Sequence, residues 1–241
     1  MRLDSVKIVS FSGIDGAGKS TQIQALCSFV RDCGFTFTLL TFWDDVVAFP
    51  RFRERLSSRV FKGDQGIGSP ENPITRRDKN VGAWYVTLMR LFLYMLDTFS
   101  LCLIVSKNVD SDVDFLIFDR FIYDELANLP LQYLPIRLFV RLLLSFVPRP
   151  DVALVLDAEP GVATLRKPEY PAEFVRRNRD AYLRLSRFVR GITVIPAASV
   201  DETAEAIREI VSDKCLSASP EPSNPEVQQP VSPGGARSVN R

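Results

Sequence analysis

One eight-residue segment constrains the fold more than any other part of the chain. Residues 13–20 read Gly-Ile-Asp-Gly-Ala-Gly-Lys-Ser, which is the spacing of a phosphate-binding loop. The β-rich run from Val6 to Phe11 precedes this segment, and the residues from Ser20 to Val30 follow it with apolar side chains at helical intervals. A strand, a glycine-rich turn and a helix in this order are the context in which such a loop binds phosphate.

The residues of the loop have separate expected tasks. Its glycines allow backbone N–H groups to converge on phosphate oxygens. Lys19 is expected to reach the β- and γ-phosphates of ATP, the Ser20 hydroxyl to ligate Mg²⁺, and Thr21 to lie near the α-phosphate. The predicted ATP-binding residues are Gly13, Asp15, Gly16, Ala17, Gly18, Lys19, Ser20 and Thr21.

The composition excludes several classes of function. The formal net charge of the 241 residues is only +1, which argues against a nucleic-acid polymer as the main partner. The chain has no histidine, so triads that use imidazole as a base are excluded, and a conventional zinc site is not expected. Charged residues interrupt the first ten positions, which is not the pattern of a signal peptide. We therefore expect a cytoplasmic protein that acts on small molecules and has no membrane partner.

Further apolar segments alternate between strand and helix patterns. Short continuous runs predict buried parallel strands, and longer ones with helical periodicity predict helices between them. This alternation predicts an α/β fold with a doubly wound, parallel five-stranded sheet and flanking helices. The additional predicted strands are 35–42, 115–118, 152–156 and 192–195, and the main helices are 81–105, 131–147 and 201–211.

The chain divides into a globular part and a tail. We expect one domain over residues 1–216, with a substrate-side excursion rich in arginine, proline and glycine between residues 44 and 80. Residues 217–241 are rich in proline and serine and poor in apolar residues, which predicts a disordered tail.

Two of the predicted helices are unusually apolar. Residues 81–105 contain Arg90 and Asp97, so a long buried helix is expected rather than a membrane span. Residues 131–147 predict a packed amphipathic helix, with a membrane-surface or dimer face as the alternative. A homodimer is therefore left open.

An acidic residue and a basic residue end the strand predicted at 115–118. Asp119 fits a second acidic position beside the phosphate loop, where it would hold Mg²⁺ or its waters, and Arg120 could grip an acceptor phosphate. The alternative is a salt bridge at a strand end.

Three stretches together resemble the thymidylate kinase family. The first is the loop with its flanks, Phe11–Gln22, and the second is Asp119-Arg120-Phe121 with Ala127 beyond it. The third is Pro150–Asp157 with the residues that follow it, and the resemblance covers roughly residues 6–211. It implies a P-loop kinase fold with a short lid and an enzyme that transfers the ATP γ-phosphoryl group to dTMP or a related nucleoside monophosphate.

The resemblance also implies roles for individual residues. Asp15 would contact the sugar 3′-hydroxyl, Arg120 the acceptor phosphate, and Tyr94 would stack on the base. Members of the family carry a catalytic arginine either in the phosphate loop or in the lid, and this loop has Gly16 at the first of these places. The lid would then supply the cation, with Arg166 as the first choice and Lys167 and Arg176 behind it. The alternative for each of these residues is a solvated basic helix over residues 166–190. The predicted catalytic residues are Lys19, Asp119, Arg120 and Arg166.

The chain also departs from the family pattern. Thr98 stands where the family has a base-reading arginine, and residues 42–45 read Phe-Trp-Asp-Asp where the family has Arg-Glu-Pro. The arginine of that Arg-Glu-Pro segment has no counterpart at residues 42–45. Four other arginines could replace it or could be surface charges: Arg51, Arg53, Arg76 and Arg77.

These departures leave two other functions open. One is a nucleoside kinase, with Asp44 or Asp45 as the base that a hydroxyl acceptor needs. The other is a non-catalytic, ATP-binding regulatory module. A GTPase is not expected, because no Asn-Lys-x-Asp segment follows the loop.

Overall fold

The computed structural model describes residues 5–47, 84–109 and 112–216, with the side chains of residues 84–86 excepted. The four candidate arginines at positions 51, 53, 76 and 77 lie outside the described residues, as do most of the substrate-side excursion and the tail. Within the described residues, five strands form one sheet. They are β1 (Lys7–Gly13), β2 (Phe37–Thr41), β3 (Phe115–Asp119), β4 (Val152–Leu156) and β5 (Ile192–Ile195).

The sheet is parallel throughout, in the order β2-β3-β1-β4-β5. The central strand β1 pairs with β3 and β4, so that Phe11 lies opposite Asp119 and Gly13 opposite Leu156. The carboxyl ends of these strands therefore meet at one edge, where doubly wound sheets bind their ligands. The predicted fold class, with its five parallel strands, is confirmed.

Helices connect the strands and cover both faces of the sheet. A single π-helical turn, Phe42–Val46, follows β2, and another, Ser212–Leu216, ends the described chain. The α-helices of the described residues are α1 (Lys19–Asp32), α2 (Trp84–Val109), α3 (Ile122–Leu126), α4 (Leu134–Phe146), α5 (Pro160–Arg166), α6 (Ala172–Phe188) and α7 (Val200–Val211).

Each face of the sheet has its own apolar core, because successive strand side chains point to opposite faces. Along β3, Phe115 and Ile117 pack on the side of α1 and α7, whereas Leu116 and Phe118 pack on the side of α2, α3, α4 and α6. Burial on both faces explains why the strands read as continuous apolar runs.

The helix α2 differs from its prediction. It was expected to be buried, and only one side of it is: Asp97 and Leu101 face the core, whereas Phe92 and Phe99 are exposed. By length and composition alone, residues 87–109 would also pass as a membrane span, but α2 packs against α3 and α4 and carries the buried Asp97 inside the domain. An apolar pattern around a whole helix does not tell which neighbour covers each side.

Candidate active site

A cavity of about 380 Å³ opens at the carboxyl ends of β1 and β3. It brings together residues from the loop, the end of β3 and the end of α5, which are far apart in the sequence. Most of the predicted site residues belong to it, whereas Gly13, Ala17 and Tyr94 do not line it. The lining residues are Asp15, Gly16, Gly18, Lys19, Ser20, Thr21, Asp119, Arg120, Arg166 and Lys167.

The phosphate loop holds its own lysine. Lys19 is buried, and its Nζ donates hydrogen bonds to the carbonyl oxygens of Gly13 at 3.0 Å and Ile14 at 2.8 Å. Burial, together with the charge of Arg120, lowers the pKa of Lys19 to about 8, against the opposing effect of the nearby carboxylates. Lys19 thus forms no salt bridge with another described residue, and a bound phosphate would supply an anionic partner.

Arg120 has an unusual backbone conformation at the end of β3. Its φ of 69° lies in the left-handed region, which costs of order 1–3 kcal/mol for a residue other than glycine and clusters at functional sites. Its N–H donates to the Phe11 carbonyl oxygen at 2.9 Å, and its guanidinium pairs with Asp124 at 2.8 Å and with Asp15. Burial alone would lower the pKa of Arg120, but Asp124, Tyr182 and Asp15 raise it above its ordinary value.

Asp124 is the centre of a buried polar network. Its Oδ2 accepts hydrogen bonds from the Ser12 hydroxyl at 2.6 Å and the Phe121 N–H at 3.2 Å. Its Oδ1 accepts from Arg120 Nη1 at 2.8 Å and from the Tyr182 hydroxyl at 2.7 Å. Burial, followed by the charge of Asp124, raises the pKa of Tyr182 well above its ordinary value, so Tyr182 is held as a donor. Asp124 therefore fixes the direction of the Arg120 side chain.

The sequence interpretation missed Asp124. The available signal was an acidic residue four positions after Arg120. Arg120 precedes α3 and has left-handed backbone angles, so the contact is not one between two residues of the same helix. Its partners Ser12 and Tyr182, on β1 and α6, gave no local sign of the contact.

The short helix α5 lies directly on the phosphate loop. A Cβ atom added to Gly16, whose φ is 83°, would lie 2.5 Å from the Ala163 carbonyl oxygen. A side chain at position 16 would therefore push α5 away. The last residue of α5, Arg166, and the following Lys167 both line the cavity.

The third lid candidate is placed differently. Arg176 lies on the exposed surface of α6 and pairs there with Glu173 at 3.4 Å. It is not among the residues that line the cavity.

A two-pronged ion pair joins α6 to the end of β4. Arg179 Nε and Nη2 donate to the two carboxylate oxygens of Asp157 at 2.6 and 2.7 Å. The hydrogen bond with Asp157 raises the pKa of Arg179, and the paired geometry fixes both side chains. This pair ties α6 to the carboxyl end of β4, and the sequence pattern had indicated no role for Arg179.

The donor set beside the loop suits a magnesium ion only in part. Ser20 and Asp119 line the same cavity and offer the oxygen ligands that Mg²⁺ prefers. In the described part of the chain, no group of three or more His, Cys, Asp and Glu side chains is placed to hold a metal ion. Mg²⁺ at this position would thus take its remaining ligands from phosphate oxygens and water, as is usual in nucleotide sites.

The predicted base-side residues lie apart from the cavity. Tyr94 is only 4% exposed and belongs to the same core as Phe121. The buried Thr98 donates its hydroxyl hydrogen bond to the Tyr94 carbonyl oxygen at 2.8 Å.

The two carboxylates predicted as a possible general base, Asp44 and Asp45, also lie outside the cavity lining. Asp45 accepts a hydrogen bond from the Thr41 N–H at 2.6 Å, which stabilises the turn after β2. Neither Asp44 nor Asp45 is among the residues that line the cavity.

The sheet order, the glycine-rich loop after β1 and the helix over it define the class: an α/β fold of the P-loop, nucleotide-kinase type. No protein-family model matches the sequence, and no curated protein does. Among solved structures, the thymidylate kinase of Ehrlichia chaffeensis matches with a TM-score of 0.54 and 18% sequence identity, over 86% of this chain and 98% of that one. At such low identity the likeness shows the fold alone, and this chain has a thymidylate kinase-like fold.

Proposed function

We propose that the chain is an ATP-dependent kinase that transfers the γ-phosphoryl group to a nucleoside monophosphate, with dTMP as the first candidate. The observation that carries the proposal is one cavity that Lys19, Asp119, Arg120 and Arg166 all line. Several cations in the lining of one small cavity suit two phosphate-bearing substrates, which must be brought together with their charges neutralised. Such an enzyme would act on free nucleotides in the cytoplasm.

The ATP side follows from the loop. Its backbone N–H groups and Lys19 would bind the triphosphate, and Ser20 and Asp119 would hold Mg²⁺. The ion, when bound, supplies charge neutralisation at the phosphate oxygens. Arg166 lies at the end of the lid helix, where its charge would stabilise the phosphoryl group during transfer.

The acceptor side follows from Arg120. An acceptor phosphate would take the place of the Asp15 carboxylate on the guanidinium, and Asp15 would then accept a hydrogen bond from a sugar hydroxyl. The acceptor oxygen is already anionic, so its bond to the γ-phosphorus can form, and the bond to ADP can break, without a general base. This suits a cavity whose lining holds neither Asp44 nor Asp45.

The test is a panel of nucleoside monophosphates, with thymidine included, assayed for ATP-dependent formation of the phosphorylated product. We expect turnover with dTMP or a related monophosphate. Lys19→Ala should lower this turnover by roughly 10²- to 10³-fold, whereas Lys214→Ala, on the exposed surface beside β5, should leave it unchanged.

Two results would overturn the proposal. Product from thymidine alone would indicate a nucleoside kinase. ATP binding that Lys19→Ala abolishes, without transfer to any acceptor of the panel, would indicate a non-catalytic nucleotide-binding module.

A further inference from the structure

A second cavity lies beside the first turns of α2, apart from the site described above. Its volume is about 890 Å³, more than twice the 380 Å³ of the cavity at the phosphate loop. Its walls come from the start of α2, from residues 127–136 and from one side of α6. The two cavities have no lining residue in common, so they are two separate places for a ligand.

The residue Asp124 lies between the two cavities. Its carboxylate pairs with Arg120, which lines the first cavity. Its backbone carbonyl oxygen accepts a hydrogen bond at 2.7 Å from Asn128 Nδ2, and Asn128 lines the second cavity. Asp124 is only 2% exposed, and a buried side chain whose hydrogen bonds are satisfied is costly to displace. The second cavity is therefore not a continuation of the acceptor side.

The inner surface of the second cavity is apolar. Its lining includes Leu129, Ile136 and Ala181, which are buried members of the core. Phe174 on α6 adds an aromatic ring. Cavities of about 300–1,000 Å³ with mainly apolar and aromatic walls and a few polar groups are the usual form of small-molecule sites. The second cavity has both this size and this composition.

The charged side chains of the lining favour an anion. They are three arginines and one aspartate, namely Arg90, Arg177, Arg184 and Asp180. Arg177 pairs with Glu173 at 3.1 Å, whereas Arg90 and Arg184 form no ion pair within the described residues. A phosphate would give these two guanidinium groups an anionic partner, and their planar sets of N–H donors suit its oxygens.

Three amide side chains lie among the apolar ones and indicate what the rest of the ligand is. They belong to Asn128, Gln132 and Asn178. Each amide offers hydrogen-bond donors and an acceptor, as the edge of a nucleotide base does. The half-buried Asn178 side chain forms no hydrogen bond with another described residue. An apolar anion such as a fatty acid would leave these amides without partners, which costs free energy. A nucleotide would pair with them.

We propose that the second cavity binds a nucleoside monophosphate, with the phosphate at the arginines and the base between the apolar wall and the amides. No residue of the phosphate loop lines this cavity, so the nucleotide would be a bound ligand there and not a substrate. The inference does not depend on the proposed function, because it concerns a cavity that contains none of the proposed catalytic residues.

The experiment is photo-cross-linking of the full-length chain with an azido derivative of AMP, followed by trypsin digestion and mass spectrometry. A nucleotide in the second cavity should label peptides 121–137 and 180–184, which contain lining residues. A nucleotide at the phosphate loop should instead label peptides 8–19 or 20–31. Labelling of peptide 121–137 should be saturable, and unmodified AMP should compete with it more strongly than adenosine, which lacks the phosphate.

A pair of substitutions on α6 tests the arginine. Arg184 is exposed, so Arg184→Glu should keep the wild-type circular dichroism. It should raise the half-saturation concentration for labelling of peptide 121–137 by at least about tenfold, since a charged hydrogen bond is lost. The matched control is Arg187→Glu. Arg187 is also exposed, lies one turn further along α6 and does not line the cavity, so this variant should be labelled like the wild type.

Three results would overturn the inference. The first is the absence of saturable labelling in peptide 121–137, whether or not the loop peptides are labelled. The second is labelling of this peptide that Arg184→Glu leaves unchanged. The third is displacement of the label by octanoate as effectively as by AMP, because the cavity would then bind an apolar anion and not a nucleotide.

Discussion

The two sides of the cavity are built in different ways. On the proposed ATP side, the residues that line the cavity come mainly from one continuous stretch, residues 15–21. The acceptor side depends on Arg120, which is held by Asp124, and Asp124 is held in turn by Ser12 and Tyr182 on other elements. The residues proposed to bind ATP are thus neighbours in the sequence, whereas those proposed to hold the acceptor come together only in the packed domain.

The two sides also differ in how their cations are compensated. Among the described residues, the hydrogen bonds of Lys19 go to two backbone carbonyl oxygens, and its pKa is lowered to about 8. Arg120 pairs with two carboxylates, and its pKa is raised. A phosphate bound at Lys19 would supply a negative charge beside the ammonium group, whereas a phosphate bound at Arg120 must first displace the Asp15 carboxylate. We therefore expect the unliganded protein to bind ATP more tightly than the acceptor.

Arg166, at the end of α5, should act on the phosphoryl group that passes between the two sides, and its removal should lower kcat strongly. Arg166→Ala should lower kcat by roughly 10²-fold, with little change in the KM for ATP, because a charge that acts on the transferring group is lost. Steady-state kinetics at saturating substrates measure this effect. The control is Arg176→Ala, which removes an exposed α6 arginine outside the cavity. Equal effects of the two substitutions would contradict a special role for Arg166.

A substitution in the buried network should separate the acceptor side from the ATP side. Asp124→Asn keeps the size of the side chain but removes the charge that holds Arg120, which should cost about 2 kcal/mol of the free energy of unfolding. It should also raise the KM for the acceptor several-fold, with ATP affinity unchanged. Urea denaturation, acceptor kinetics and calorimetric titration with ATP measure these quantities.

The matched control for this substitution is Asp180→Asn. Asp180 is exposed on α6, two residues from Tyr182, and its replacement should alter neither stability nor KM. A loss of ATP affinity in Asp124→Asn equal to the loss of acceptor affinity would show that the two sides are not independent.

A third expected effect is a pH dependence confined to the proposed ATP side. The protonated form of Lys19 attracts phosphate, and the pKa of Lys19 without ligand is about 8. Bound phosphate raises this pKa, so ATP affinity should fall as the pH rises above about 8, by up to tenfold per pH unit, with uptake of a proton on binding. Calorimetric titration in buffers of different ionisation enthalpy measures both the affinity and the proton count.

The neighbouring cation provides a control for the pH experiment. Lys167→Met should weaken ATP binding uniformly and keep the dependence on pH. A flat profile in wild-type protein, or one that disappears in Lys167→Met, would contradict the assignment to Lys19.

The sequence predicted those parts of the molecule that rest on local patterns. The strands and the loop were predicted because continuous apolar runs and glycine spacing reflect backbone geometry within a few residues. The outer side of α2 could not be recognised as exposed, since apolar residues surround that helix and only its neighbours determine which side is covered.

The hydrogen bonds of Asp124 with Ser12 and Tyr182 could not be predicted from the sequence either. They join residues 112 and 58 positions apart in the chain. The periodicity of a sequence gives no information on contacts over such separations. Only the opposite charges of Arg120 and Asp124, four positions apart, were visible in the sequence.

The close approach of Gly16 to Ala163 has a consequence for how this chain can change. An arginine at position 16 and a lid helix in its present place exclude each other, because a side chain there meets the backbone of α5. A substitution of Gly16 would therefore also displace α5. In this chain, a single substitution at position 16 therefore cannot add an arginine to the loop while α5 stays where it is.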